Sequence, residues 1–159
     1  MTSQPAAPHE VVVPPLPFRV RPLGVRIAII AVLAGLGAVC AVVWIGFGPQ
    51  VRAQFTPFQI STLLVLGGLI LASGHAVARS RVDVRADGLT VVNGYRTREL
   101  DWRDVTAVRM RPGAPWASLQ RADGTVVALL GIQQTDGARA VVAVRRLRAV
   151  ARAAHRGTP

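Results

Sequence analysis

The sequence predicts two membrane-crossing helices, then a meander of six or seven antiparallel strands closed by one amphipathic C-terminal helix. Three observations carry this reading. Two long runs, Ile27 to Phe47 and Phe55 to Ala78, hold no charged side chain. From Val82 apolar and polar residues alternate, and Asx–Gly pairs interrupt them. From Gly137 the apolar period lengthens to that of a helix.

The chain has 159 residues, room for one ordinary domain and a small extra element. Hydrophobic residues make up 51% and mean hydropathy is +0.38, which argues against a plain soluble domain. Formal net charge is +11, and all 19 basic residues are Arg. Arg suits phosphate and carboxylate contacts because its planar fork donates bidentately. An Arg-only chain rich in Ala and Gly also fits a bias in genomic base composition. The single cysteine, Cys40, lies in an apolar run, so no intramolecular disulfide forms and nothing points to an oxidising compartment.

The first apolar run is long enough, at 1.5 Å per residue, to span roughly 30 Å of hydrocarbon. It is longer than the apolar core of a signal peptide, and a second run follows it. The rest of the chain is too small to bury two wholly apolar helices. Trp44 and Phe47 end the first helix; Phe55 and Phe58 begin the second, as in an interfacial aromatic belt. The second run opens on polar Thr56, Gln59, Ser61 and Thr62. The link "GPQVRAQ" is short, so the two helices form an antiparallel hairpin. Small residues (Gly35, Gly37, Ala38 and Ala41; Gly67, Gly68 and Gly74) allow close helix contact.

Arg19, Arg21 and Arg26 precede the hairpin, and Arg79, Arg81 and Arg85 follow it; only Arg52 sits in the link. The positive-inside rule then places both termini in the cytoplasm, in a multi-pass protein of the inner (plasma) membrane. Ahead of the hairpin, Pro5, Pro8, Pro14, Pro15, Pro17 and Pro22 predict an extended, disordered arm over residues 1–26. "PPLP" has the composition of a polyproline ligand, or of a simple tail.

"VDVRA" places Val82, Val84 and Ala86 on one face. Asp87-Gly88 turns the chain, since Gly accepts a positive φ, and "LTVV" returns to a second turn at Asn93-Gly94. "YRTRELDW", "DVTAVRMR", "WASLQR" and, after Asp123-Gly124, "TVVALLGI" supply the remaining strands. Thr135-Asp136 reads as the helix start, where a short side-chain oxygen caps free N–H groups. Within "GARAVVAVRRLRAVARAAH", residues Ala140, Val144, Leu147, Val150, Ala151 and Ala154 share one face. Arg145, Arg148, Arg152 and Arg156 gather on one flank of it. The apolar face needs a sheet to cover it.

"DGLTVVNGYRTRELDWRDVTAVRM", "LQRADGTVVALLGI" and "TDGARAVVAVRRL", in that order, resemble the bacterial pleckstrin-homology (PH) domain family. The resemblance is nearest to its membrane-anchored actinobacterial branch, which includes the low-molecular-weight antigen proteins of mycobacteria. It implies a PH-like split barrel over residues 80–155, the helix capping one open end, with helices at about 27–47 and 58–78 before it and a tail at 156–159. PH domains that read phosphoinositides carry several basic residues on a long first hairpin loop. Here that turn is "RADG", with Arg85 alone.

Little in the sequence points to catalysis. His9, His75 and His155 lack metal-ligand spacing, no phosphate-cradling Gly-rich loop occurs, and no nucleophile lies beside a base. Glu99, Asp101 and Asp104 form the nearest acidic cluster, and Arg96, Arg98 or Arg103 are their expected partners. The expectation is a non-enzyme without cofactor or metal: an interaction or scaffold module held at the cytoplasmic face by the bilayer, with a protein partner. The alternative is a module binding anionic lipid. For either, the candidate contacts are Arg145, Arg148, Arg152 and Arg156, worth about 1 kcal/mol each near an anionic surface; a merely solvated helix flank reads the same way. The charge is spread over both halves without interleaved aromatics, which argues against nucleic acid.

Overall fold

A computed structural model describes residues 14–156. Strand β1 (Phe18–Val20) comes first, then helix α1 (Leu23–Gly46), a single turn α2 (Pro49–Arg52) and helix α3 (Pro57–Arg79). Strands β2 (Arg81–Val84), β3 (Gly88–Asn93), β4 (Arg96–Asp101), β5 (Val105–Arg109), β6 (Trp116–Arg121) and β7 (Val126–Gln133) follow, and α4 (Ala138–Arg156) closes the chain.

α1 and α3 are long and apolar enough to cross a membrane, at 24 and 23 residues, and neither buries a residue in the molecule. Their ends are built with care. Thr56 and Gln59 form a reciprocal capping box, Gln59 N–H donating to Thr56 Oγ1 at 3.3 Å and Thr56 N–H to Gln59 Oε1 at 3.0 Å. The hydroxyls of Ser61 and Thr62 both donate to the Phe58 carbonyl, so this polar first turn satisfies itself. Arg52, the basic residue of the link, donates to the Phe47 and Ile45 carbonyls at 2.7 and 2.9 Å. It thereby answers both the orphan acceptors and the negative end of α1. Phe55 packs edge-on to Trp44, centroids 5.4 Å apart. Of the small residues expected at the helix contact, Gly74 lies against Ile29 and Leu33, whereas Gly35, Gly37, Gly67 and Gly68 face open space.

Two antiparallel sheets form the barrel, in the orders β1-β2-β3-β4 and β5-β6-β7. The expected six-strand meander is therefore present after the hairpin, and a seventh strand comes from before it. Phe18, Arg19 and Val20 pair with Val84, Asp83 and Val82. This corrects the reading of residues 1–26 as disordered throughout; residues 1–13 of that arm lie outside the described residues. The physical reason is alternation: Leu16, Phe18 and Val20 all pack on the core, and Pro17 sits at a strand edge, where a missing N–H costs little. α1 also begins at Leu23, four residues earlier than Ile27.

The core gathers Val82, Val84, Leu89, Val91, Leu119, Leu129 and Ile132 from the strands, with Ala140, Val144, Leu147 and Val150 from α4. The predicted face of α4 is the buried one, Ala151 and Ala154 packing at its margin. Asn93 ties the sheets: its amide donates to the Ala128 carbonyl at 2.6 Å and accepts from Leu130 N–H at 3.1 Å. The sheets approach closely at Gly131, where a Cβ would lie 2.8 Å from the Arg81 backbone. Trp102 is buried and its indole N–H donates to the Arg85 carbonyl at 3.0 Å.

Two local readings change. Gly88 lies inside β3 and is not at positive φ; Leu100 O would meet its Cβ at 2.4 Å, so close backbone approach selects glycine there. Thr135 and Asp136 form a 3-10 turn, Gln134–Asp136, and α4 starts after Gly137 at φ 55°. The Asp136 carboxylate caps a different helix, α1.

Candidate functional site

The barrel meets the helical hairpin with almost no linker. Arg21 and Pro22 separate β1 from α1, and Ser80 alone separates α3 from β2. Ser80 is fully buried; its hydroxyl donates to the Ala76 carbonyl of α3 and accepts from Gly94 N–H at 3.0 Å. The β3–β4 turn is thereby pinned to α3. Beside it Tyr95 donates to the Ala72 carbonyl at 3.1 Å, meets His75 Nδ1 at 3.1 Å, and lies under the Arg79 guanidinium, 5.5 Å from the ring centroid. On the other side Asp136 accepts from Gly24 N–H at 2.9 Å, in the first turn of α1.

Asp83 joins the two strands that flank the hairpin. It pairs with Arg19 of β1 and, at 2.9 Å, with Arg81 of β2. Partial burial pushes its carboxyl pKa up, but the hydrogen bonds and charges of Arg19 and Arg81 outweigh this and hold it below the ordinary value.

α4 has one end beside α1 and the other beside the β2–β3 turn. Asp136, just before it, touches Gly24, while Ala154 and His155 border a cleft with Ala86, Asp87 and Trp102. The strands run the same way: β2 leaves α3, and the β2–β3 turn is its far end.

This direction sorts the four candidate arginines. Arg145, Arg148 and Arg152 line one groove of about 720 Å³, together with Met110, Arg111 and Val141. Arg148 also donates to the Val108 carbonyl of edge strand β5 at 2.7 Å, so one of the four is committed to structure. Arg156 is exposed at the last turn of α4 and does not line that groove. A second groove, of about 400 Å³, runs between β1 and the first half of α4, and holds Arg19, Arg21, Arg139 and Arg146. Sequence reasoning missed it because β1 was read as part of the arm.

The acidic residues are dispersed. Glu99 reaches Arg85 at 3.7 Å, Asp104 reaches Arg121 at 3.5 Å, and Asp101 accepts from Arg103 N–H at 2.8 Å as a turn cap. Arg96 and Arg98 are not their partners. Among the described residues no group of His, Cys, Asp and Glu is arranged to hold a metal ion. His155 Nδ1 is 2.7 Å from the Ala151 carbonyl of its own helix, and Cys40 is a free thiol on the exposed surface of α1.

Residues 79–149 match the bacterial PH domain family. The uncharacterized protein Rv1417 of Mycobacterium tuberculosis (strain ATCC 25618 / H37Rv) is 33% identical over 104 residues, which is 64% of this chain and 68% of the relative. The chain belongs to the bacterial PH domain family. The uncharacterized protein Mb1452 of Mycobacterium bovis matches with the same identity and coverage. No solved structure gives a significant match. The PH domain here has a feature outside the matched span. Its first strand is Phe18–Val20, and the whole helical hairpin is inserted between that strand and the next. The insertion stands where a β1–β2 loop would be.

Proposed function

We propose that this is a two-pass protein of the plasma membrane, with both termini cytoplasmic, whose PH domain is a non-catalytic interaction module for a protein partner. The carrying observation is that β1 and β2 pair across the hairpin. Paired strands share one side of a bilayer, so the hairpin crosses twice and returns. The apolar surfaces of α1 and α3 are exposed, and transfer of that area out of water is what the bilayer supplies. The excess of arginine at the barrel end of the hairpin supports a cytoplasmic barrel.

The partner surface is the groove lined by Arg145, Arg148 and Arg152, with Met110 and Val141 as its apolar part. Its guanidinium groups make no ion pair among the described residues, which suits an acidic partner segment. Arg156 extends the same charge toward the free end of α4. The alternative use of this flank, contact with anionic headgroups, fits less well. α4 leads away from the hairpin, and Arg156 lies roughly 30 Å along the helix from Asp136 at 1.5 Å per residue. The test is in-cell cross-linking of the full-length protein, comparing wild type with Arg145→Glu/Arg152→Glu. A discrete adduct that the variant loses, at equal abundance in the membrane fraction, is expected. An adduct pattern indifferent to the charge reversal would refute the assignment.

A further inference from the structure

We propose that the free edge of β4 accepts an extended segment of a partner protein, acidic at alternate positions, as an added strand. The inference concerns a second surface and does not rest on the groove of Arg145 and Arg152. β4 is the last strand of its sheet, paired with β3 alone. Arg96, Thr97, Arg98 and Glu99 are all exposed, and among the described residues no other element hydrogen-bonds to their backbone. The two-residue turn Gly94-Tyr95 closes on the pair Asn93–Arg96, which therefore exchanges its backbone bonds. By alternation Arg98 and Leu100 also turn their N–H and C=O groups to β3. Thr97 and Glu99 turn theirs outward, a template for a further strand.

Charge decides what pairs there. Two copies joined by antiparallel β4 strands share a two-fold axis, so residues of the same alternation class must oppose each other. A register centred on Arg96 or Arg98 sets that arginine against itself, and one centred on Thr97 sets Arg96 against Arg98. Centring on Glu99 opposes Glu99 to itself, and centring on Leu100 opposes Glu99 to Asp101. Like charges directly opposite destabilise every one of these registers, so a second copy is excluded. Glu99 already has Arg85 at 3.7 Å. Arg96 and Arg98 make no ion pair among the described residues. They lie on one face, two residues apart, and are answered by Asp or Glu at alternate positions of the incoming strand.

The experiment uses the full-length protein in mild detergent and a fluorescent peptide of alternating glutamate and valine. The controls are its lysine–valine counterpart and a peptide with the same glutamates and valines in two blocks. Fluorescence anisotropy is expected to show the alternating acidic peptide binding roughly tenfold tighter than either control, since two cross-strand charge pairs are gained or lost. Its binding should slow amide exchange at Thr97 and Glu99, leaving Arg98 and Leu100, already in the ladder, unchanged. Arg96→Glu/Arg98→Glu should reverse the preference in favour of lysine. Thr97→Pro removes an outward N–H and no ladder bond, and should weaken binding of the acidic peptide. Equal affinity for the alternating and blocked acidic peptides would reduce the effect to net charge and overturn the proposal. So would a preference unchanged by Arg96→Glu/Arg98→Glu, or the absence of binding. Binding lost on Arg145→Gln/Arg152→Gln would assign the peptide to the α4 groove and overturn this inference alone.

Discussion

The Asp136 carboxylate accepts the Gly24 N–H at 2.9 Å, joining positions 112 residues apart. Asp136 belongs to the PH domain and Gly24 to the first turn of an apolar helix, so the domain supplies the cap that helix α1 lacks locally: Pro22, at its N-cap, offers no side-chain acceptor.

Asp136→Ala should therefore destabilise the full-length protein by about 0.5–2 kcal/mol, the range for loss of an N-terminal cap. Asp136→Asn keeps an acceptor oxygen and should recover most of it. Thermal unfolding in detergent measures both; equal melting of all three proteins would show that the bond contributes nothing.

The Asp83 carboxyl has a folded pKa below its ordinary value of 3.8, because Arg19 and Arg81 favour the charged form. The sign follows from linkage: the stabilisation is fully present above the unfolded pKa and is lost as pH falls through the folded one. Wild type should thus lose more stability than Asp83→Asn on acidification from pH 5 to below 3.8, the two curves converging at the acid end. Asp123, also held low, by the hydroxyl and N–H of Thr125, stays in both proteins and cancels in the comparison. Parallel curves would remove Asp83 as the acid-sensitive link between β1 and β2.

Gly131→Ala forces a Cβ to within 2.8 Å of the Arg81 backbone, which cannot swing aside as the end of a flexible side chain could. A loss of about 1–3 kcal/mol is expected, as for other overpacked sites. Gly67→Ala is the counterpart: nothing lies within 4 Å, and alanine is the better helix former by about 1 kcal/mol. Denaturation of both variants beside wild type reads the contrast. A tolerant Gly131→Ala would mean that the two sheets do not meet there.

Topology is open to direct labelling. In a Cys40→Ala background, Gln50→Cys in the α1–α3 link should react with a membrane-impermeant maleimide on intact cells. Asp123→Cys in the β6–β7 turn should react only after permeabilisation. Labelling of both, or of Asp123→Cys alone, would overturn the proposed cytoplasmic placement of the domain.

Much of this molecule was legible from pattern alone. The charge-free runs, the period-two strands and the face of α4 through Ala140, Val144, Leu147 and Val150 reappear where alternation and helical spacing put them. What escaped depended on partners distant in sequence. Leu16, Phe18 and Val20 do alternate, but three residues among prolines gave no sign that β2 was waiting beyond the hairpin. Asp136 carries the chemistry of a cap, and nothing local says which helix it serves. The groove of Arg21, Arg139 and Arg146 exists only once the first strand is in place, so it had no linear signature.

A sheet whose first strand is made before the hairpin and whose second is made after it cannot finish until the intervening segment has doubled back. Should only one of the two helices insert, Phe18 and Val84 would be stranded in different compartments, leaving Val82 and Val84 on an unzipped, sticky margin. On the proposed two-pass reading, the pairing of β1 with β2 would require that both helices insert. It also means that residues 80–159 produced alone would carry a vacancy where Phe18–Val20 belongs.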